Sequence, residues 1–391
     1  MTYDFDTVVD RRGTWCVQWD GITDRFPVPD LLPFTISDMD FRSPPEVLDA
    51  LTARIGHGVF GYTDWQHNDD FRGAIRDWYR DRYATEIDTD RFVYGPSVLN
   101  QIAQLLRMWT REGDAVVAHA PTYDGLRKSV TGLGRELRTV GLDDWAGLER
   151  ELARPEARVL FLCSPHNPTG HVWTDTELRR IAELSRAYDV AVISDEIHSD
   201  LTHDGHTHLP WTRYSEAAGP RWALVTSATK SFNFPALTGS YGIIGDPDEH
   251  AEFVRRMDTA EGLASPAVLS LSAHIAAYRH GADWLDELRS YTYGNLRLLE
   301  ERLDAAFPEL KWRVPEAGYL AWVDLRPLGI HDDEELQRVL VEEEKVAVMP
   351  GGTYGMPGFV RLNLGCPRSK AEAGAEALVR AVAKVADRAA G

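Results

Sequence analysis

The residue best placed to do chemistry is a lysine at the end of a short apolar run. Lys230 closes Ser227-Ala-Thr229-Lys230, directly after Arg221-Trp-Ala-Leu-Val-Thr, which reads as a buried strand. It is one of six lysines in a chain of 391 residues. Small hydroxyls and an amine gathered at one strand end suit a phosphate-bearing cofactor. The hydroxyls hold the phosphate, and the amine forms a Schiff base with the cofactor's aldehyde. Standing alone, the pattern also describes an ordinary strand-end lysine in solvent.

It does not stand alone. Three more short β-rich runs end in polar signatures. Ala115-Val-Val-Ala-His leads into Ala120-Pro-Thr-Tyr123, and Val159-Leu-Phe-Leu-Cys163 into Ser164-Pro-His-Asn167-Pro-Thr-Gly170. Val190-Ala-Val-Ile leads into Ser194-Asp195-Glu196-Ile-His198. Helix-like stretches such as Asp175-Thr-Glu-Leu-Arg-Arg-Ile-Ala lie between the runs, a βαβ rhythm that predicts an α/β fold with a mostly parallel sheet between helices. In such sheets ligands bind beyond the carboxyl ends of the strands, where all four signatures fall.

Residues 1–45 read as an irregular aromatic segment, and a helix is expected to start at the Pro44-Pro45 pair. Residues 46–281 carry the βαβ pattern. From 282 onward a long amphipathic helix, the short strands Tyr319-Leu-Ala-Trp-Val-Asp and Phe359-Val-Arg-Leu-Asn-Leu, and an Ala-rich terminal helix predict a smaller α+β domain. The N-terminal segment is expected to pack with that domain.

A formal net charge of −19 argues against nucleic acid and anionic membranes as partners. Cys16, Cys163 and Cys366 are few and widely spaced, so neither a disulfide framework nor a metal knuckle is expected. The acidic start Met1-Thr-Tyr-Asp-Phe-Asp is unlike a secretory signal, and no apolar run approaches a membrane span. A cytoplasmic location is expected.

In this order, the strand-end residues resemble those of fold-type I pyridoxal-phosphate enzymes, the aspartate aminotransferase superfamily. The likeness covers nearly the whole chain. It narrows to the MalY/PatB family of cystathionine β-lyases and cystalysin-like C–S lyases. The narrowing residues are Arg12-Gly-Thr-Trp, Gln18-Trp-Asp20, Ser37-Asp-Met-Asp-Phe-Arg-Ser-Pro-Pro45 and Phe60-Gly-Tyr62-Thr-Asp-Trp65, with His166-Asn-Pro-Thr-Gly170, Ser194-Asp-Glu-Ile-His198 and Phe359-Val-Arg361-Leu-Asn-Leu-Gly-Cys-Pro-Arg368.

The resemblance implies pyridoxal 5′-phosphate as cofactor, a seven-stranded sheet in the large domain, and a homodimer with shared active sites. Lys230, Asp195 and Tyr123 are the implied catalytic residues: the cofactor's anchoring amine and α-proton base, the partner of the ring nitrogen, and the aromatic on the ring face. Asn167 is implied to donate to the cofactor's phenolic oxygen. Ser227, Thr229, Ser97 and Val98 are implied around the phosphate, and Tyr62 at the phosphate of the neighbouring subunit. His198 belongs to the cofactor set, and Arg361, with Ile36, Asn167 and Tyr62, to the substrate set.

Two departures bear on the reaction. Transaminases of this superfamily usually carry tyrosine three residues past the aspartate, whereas here the position is His198, as in the lyase branch. Many relatives carry a basic residue eight positions past the lysine, and here it is Thr238. The expected activity is α,β-elimination from L-cystathionine or another L-cysteine S-conjugate to thiol, pyruvate and ammonia. The alternatives are a class I/II aminotransferase and a secondary-metabolism relative acting on a cysteine S-conjugate by C–S cleavage or decarboxylating oxidative deamination. A regulatory role through protein contact is a further reading.

Among weaker signals, His198, His203, His206 and His208 lack the helical register of a metal site and read as a polar loop. Glu342-Glu-Glu-Lys345 reads as a solvated helix face, Cys163 as a small buried residue, and Trp65 as lining for the substrate entrance.

Overall fold

The computed structural model describes residues 2–390. Among them the strands, in chain order, are β1 (Leu32–Phe34), β2 (Phe92–Gly95), β3 (Ala115–Ala120), β4 (Glu136–Gly141), β5 (Ala157–Cys163), β6 (Ala191–Asp195), β7 (Trp222–Thr226), β8 (Ser240–Ile244), β9 (Leu320–Asp324), β10 (Val346–Pro350) and β11 (Phe359–Asn363). They form a seven-stranded sheet, β2-β8-β7-β6-β5-β3-β4, and a four-stranded sheet, β1-β10-β11-β9.

By its internal contacts the chain divides into two compact units. The larger holds Ser43–His166 and His171–Leu285, and the smaller holds Met1–Arg42, Asn167–Gly170 and Asp286–Gly391. The divisions fall after residues 42 and 285, against expected positions of 45 and 281. The short Asn167–Gly170 stretch groups with the smaller unit. Gly170, at φ +71°, lies so close to Pro315 and Ala317 that a Cβ there would come within 2.5 Å of the proline ring. Only glycine fits that approach.

In the larger unit β4–β3, β3–β5, β5–β6 and β6–β7 pair in parallel, while β8 pairs antiparallel with both β7 and β2. The predicted mostly parallel sheet is therefore mixed at one edge. Its central strands are apolar on both faces because helices cover both. Val159, Phe161, Ile193, Val225 and Val116 pack with Ile102, Leu105 and Leu106 of the helix Val98–Trp109. The run-based reading missed β4, whose residues are mostly exposed or half-buried, as on an edge strand. The proline pair does start a helix, Pro45–His57, which stops at Gly58 in the left-handed conformation.

In the smaller unit Phe34, Val323, Val348, Val360 and Leu362 from the four strands form one core with Leu296 and Leu299 of the helix Ala282–Ala306. Leu378 and Val382 of the terminal helix Arg368–Ala390 complete it. The expected solvated face is exposed at Glu342, Glu343 and Lys345, but its helix is not a regular one. Val339–Glu343 forms a π-helical turn, and Glu343 and Glu344 pair with Lys384 at 3.1 and 2.7 Å. No helix among the described residues is long and apolar enough to cross a membrane.

Candidate functional site

Parallel pairing sets Asp195 beside Val225 and Cys163 beside Asp195, so β5, β6 and β7 end at one edge. Just past β7, Ser227 caps a one-turn helix, Ala228–Ser231, by accepting the Thr229 N–H at 3.2 Å. That turn presents Lys230. Asp195 is 6% exposed, and its pKa is pushed up to about 7. Burial is the main cause. The Ile197 N–H, 3.1 Å from Oδ1, opposes it, Glu196 adds to it, and the charge on Lys230 opposes it. Asp195 and Lys230 therefore share one electrostatic environment. A buried carboxylate with one backbone donor ionises fully only when a cation arrives.

Two buried acids brace this edge, and sequence reasoning missed both roles. Glu196 accepts from Ser194 Oγ at 2.9 Å and the Trp211 N–H at 2.8 Å, and its Oε2 lies 2.8 Å from His208 Nε2. Asp200 accepts from Trp78 Nε1 at 2.9 Å, from Ser231 Oγ at 2.7 Å and from the Tyr83 hydroxyl. Ser231 follows Lys230, so Asp200 ties down the far end of the lysine's turn. The histidine loop read as polar is mostly interior: His198, His203 and His208 are buried, and only His206 of the four is exposed. Its composition hid this, because the burial comes from partners such as Glu196 and not from apolar neighbours in sequence.

The other large-unit candidates sit on the same framework. Tyr123 is half-buried after β3, and its ring lies over Gly125, where a Cβ would come within 2.4 Å of it. Glycine at 125 thus permits the ring's position. Ser97 caps the helix Val98–Trp109 by accepting the Asn100 N–H at 3.1 Å, and this twelve-residue helix begins with the free-pointing amides that favour anions. His198 is buried at the start of the turn Ser199–Leu201. Tyr62 is fully exposed in the single chain, while Thr63 beside it is tied to Ser265 and Pro266. Trp65 is buried and walls a cavity of about 140 Å³ with Tyr94, Phe253, Met257 and Leu263. Cys163 is buried, its thiol donating to Pro165 O at 3.3 Å.

In the smaller unit Arg361 sits on β11, between β10 and β9, and is 3% exposed. Its NH2 donates to Thr35 O at 2.6 Å and its NH1 to Asn167 Oδ1 at 3.3 Å. The guanidinium lies 5.0 Å from the ring centroid of Tyr354, a cation–π contact. Nε is buried without a partner, and among the described residues no carboxylate pairs with this arginine. A buried guanidinium satisfied only by neutral oxygens and a ring keeps the capacity to pair with an anion. Asn363, two residues along the strand, donates to the carbonyls of Ile36 and Asp38 at 2.5 and 2.6 Å, and the Tyr319 hydroxyl donates to Ser37 O at 2.8 Å. Ile36 is thereby fixed through its backbone. The Thr35 carbonyl and Tyr354 carry no sequence signal that could have marked them.

The chain is similar to known proteins over most of its length. The sequence pattern described as aminotransferase class I and II matches residues 29–378. The chain is 50% identical to Protein MalY of Escherichia coli, over 98% of this chain and 100% of that one. It is 34% identical to the cystathionine β-lyase PatB of Bacillus subtilis, over 93% of this chain and 95% of that one. Among solved structures, cystalysin of Treponema denticola, which contains a pyridoxal 5′-phosphate cofactor, is similar with a TM-score of 0.91 at 27% identity. That match covers 98% of this chain and 100% of cystalysin.

Proposed function

The chain belongs to the class I and II aminotransferase family, within its MalY/PatB branch of pyridoxal 5′-phosphate enzymes, and on that premise we propose that it is a carbon–sulfur β-lyase acting on L-cystathionine or a related L-cysteine S-conjugate. The residues of the larger unit fit the cofactor: a buried acid whose ionisation awaits a cation, an amine in its field, hydroxyls at a strand end, and a helix N-terminus. When bound, the cofactor supplies an electron sink for the pair left at the substrate's Cα as its proton departs.

The chain's own residues divide the remaining work. Lys230 Nζ would hold the cofactor at its aldehyde carbon and would be the base that accepts the substrate's Cα proton. Asp195 holds a proton on the ring nitrogen, where a carboxylate beside a cation makes a charge-assisted pair. Tyr123 covers one ring face. Asn167 accepts from Arg361 through its oxygen, which supports the reading that its Nδ2 donates to the phenolic oxygen. Ser227, Thr229 and the backbone at Ser97 and Val98 hold the phosphate. Two of the five N–H bonds of Arg361 are engaged, which leaves three, Nε–H among them, to grip the α-carboxylate. Ile36 borders the substrate.

The observation that carries elimination over transamination is His198, buried three residues past Asp195 where transaminases usually carry tyrosine. The likeness to a cystathionine β-lyase supports the same choice. A homodimer with shared sites is part of the proposal. Ile55, Val59, Phe60 and Tyr62 are between 55% and 101% exposed in the single chain, an apolar stretch that a second subunit would cover.

The test is a product balance. Wild-type enzyme supplied with cystathionine should release pyruvate, ammonia and homocysteine together, with no 2-oxo acid acceptor present. Turnover that required a 2-oxo acid and returned its amino acid would establish the aminotransferase alternative instead. A panel of cysteine S-conjugates, with thiol and pyruvate followed separately, then ranks the leaving groups.

A further inference from the structure

The Ser227 hydroxyl has fewer protons than acceptors around it. It donates to Gly239 O at 2.7 Å, accepts the Thr229 N–H at 3.2 Å, and lies 3.1 Å from Nε2 of His274. His274 stands on the helix Val268–His280 with Nδ1 2.8 Å from Ser270 O, one turn back. A carbonyl only accepts, so the hydrogen-bond pattern assigns the ring proton to Nδ1. In a neutral imidazole Nε2 is then a bare acceptor. Gly239 O and His274 Nε2 compete for the one Ser227 proton.

The imidazole cannot turn away from this conflict. It is 1% exposed and packed edge-on against Phe234 and Phe71, with ring centroids at 5.3 and 6.2 Å. Burial pushes its pKa down to about 4, so it is neutral in the cofactor-free protein at pH 7. The titratable groups packed around it are tyrosines. Tyr278 lies 6.5 Å away on the same helix, Tyr241 bonds Tyr278 at 2.9 Å, and Tyr94 bonds Ser270. All three have raised pKa values and carry no charge at neutral pH. Among the described residues no carboxylate, lysine or arginine pairs with His274.

We propose that His274 is a positioning residue for the phosphate site, acting through Ser227, and that its Nε2 takes up a proton from solvent when a phosphate dianion binds there. The inference rests on the reading of Ser227 as a phosphate ligand. A dianion draws the Ser227 O–H towards itself and leaves an Oγ lone pair facing His274. Protonated Nε2 donates to that lone pair while Nδ1–H keeps Ser270 O. Nε2 then no longer competes for the Ser227 proton, Gly239 O gives up its donor to the phosphate, and a positive charge stands one hydroxyl away from the phosphate. Thr229, Ser97 and Val98, proposed beside Ser227 at the phosphate, carry no charge. A buried imidazolium is costly alone and is stabilised by a dianion a few ångströms away.

The test compares cofactor-free wild type, His274→Gln and Ser227→Ala, each first shown to be folded. The probes are pyridoxine 5′-phosphate, which has the phosphate but no aldehyde to bond Lys230, and pyridoxine, which lacks the phosphate. His274→Gln should bind pyridoxine 5′-phosphate about tenfold more weakly at pH 7, which is an energy typical of one charge-assisted hydrogen bond. It should bind pyridoxine as wild type does. The wild-type advantage over His274→Gln should shrink from pH 7 to 9, because the ligand's phosphate is fully ionised above its second pKa of about 6 while His274 loses its proton. The double variant should be no weaker than Ser227→Ala alone. Calorimetric titration of wild type in buffers of different ionisation enthalpy needs no variant. It should count close to one more proton taken up with pyridoxine 5′-phosphate than with pyridoxine. Equal proton uptake, a pH-independent affinity ratio, or equal weakening of both probes by His274→Gln would overturn the proposal. If Ser227→Ala loses its phosphate preference while His274→Gln keeps it, only the relay fails. If Ser227→Ala keeps it, the phosphate reading of Ser227 fails with it.

Discussion

Asp40 in the smaller unit and Asp195 in the larger are both nearly removed from water, at 4% and 6% exposure, yet their surroundings push them in opposite directions. Burial would raise Asp40, but Lys370 at 2.5 Å, Trp19 Nε1 at 2.9 Å and Arg11 at 2.9 Å outweigh it, and the pKa falls below the usual carboxylate range. Asp195 has one backbone donor at 3.1 Å and a more distant lysine, so burial wins. Asp40 is complete as it stands. It clamps the N-terminal segment to the terminal helix through Lys370, whose ammonium also lies 4.7 and 4.9 Å from the rings of Trp19 and Phe34. Asp195 is incomplete until a cation meets it. The same side chain is paired and ionised in one place and left largely unpaired in the other, and the difference lies in how many donors the fold supplies.

Three experiments break or sharpen that contrast. The largest effect should come from Asp195→Ala, which removes the group proposed to hold a proton on the cofactor's ring nitrogen. We expect kcat for C–S cleavage to fall about 10³-fold while the folded protein remains. A rate within about twofold of wild type, only about 0.4 kcal/mol on the activation scale, would deny Asp195 its role.

Next in size is Asp40→Ala. Removing one member of a buried ion cluster strands Lys370, while Arg11 keeps its pairing with Asp38, at a cost of about 3–5 kcal/mol in stability. Denaturant unfolding should show that loss, whereas kcat per folded molecule stays near wild type. A large fall in kcat without loss of stability would erase the distinction between the two aspartates.

The smallest effect is a pH dependence of the cofactor-free protein. A carboxyl whose folded pKa of about 7 exceeds its unfolded value of 3.8 contributes stability that is complete below pH 4 and lost as pH rises through 7. Between pH 5 and 7 that loss is on the order of 2 kcal/mol. Cofactor-free Asp195→Asn should escape it and unfold at a higher denaturant concentration than wild type at pH 7, with the gap narrowing at pH 5. Parallel curves at the two pH values would show that Asp195 is not held in the raised state.

Much of the framework was legible in the chain. Apolar runs such as Val159-Leu-Phe-Leu and Ala223-Leu-Val became β5 and β7, because strands buried on both faces must be apolar throughout. Polar residues just past them fell at the carboxyl edge because parallel pairing leaves them nowhere else. The edge strand β4 was not legible, since its half-exposed residues carry no such run. Nor was the burial of His198, His203 and His208, because loop composition says nothing of what covers a loop.

By itself the sequence determined the order of strand-end residues and the kinds of chemistry they can do, since both are local properties of a few consecutive side chains. The tertiary structure alone decided which charged groups are satisfied. Lys370 reaches Asp40 across 330 residues, and Thr35 offers its carbonyl to Arg361 across 326. Donor counts, burial and hence protonation are sums over neighbours that meet only after folding. That is why Asp40 and Asp195 look alike in the chain and behave as opposites in the protein.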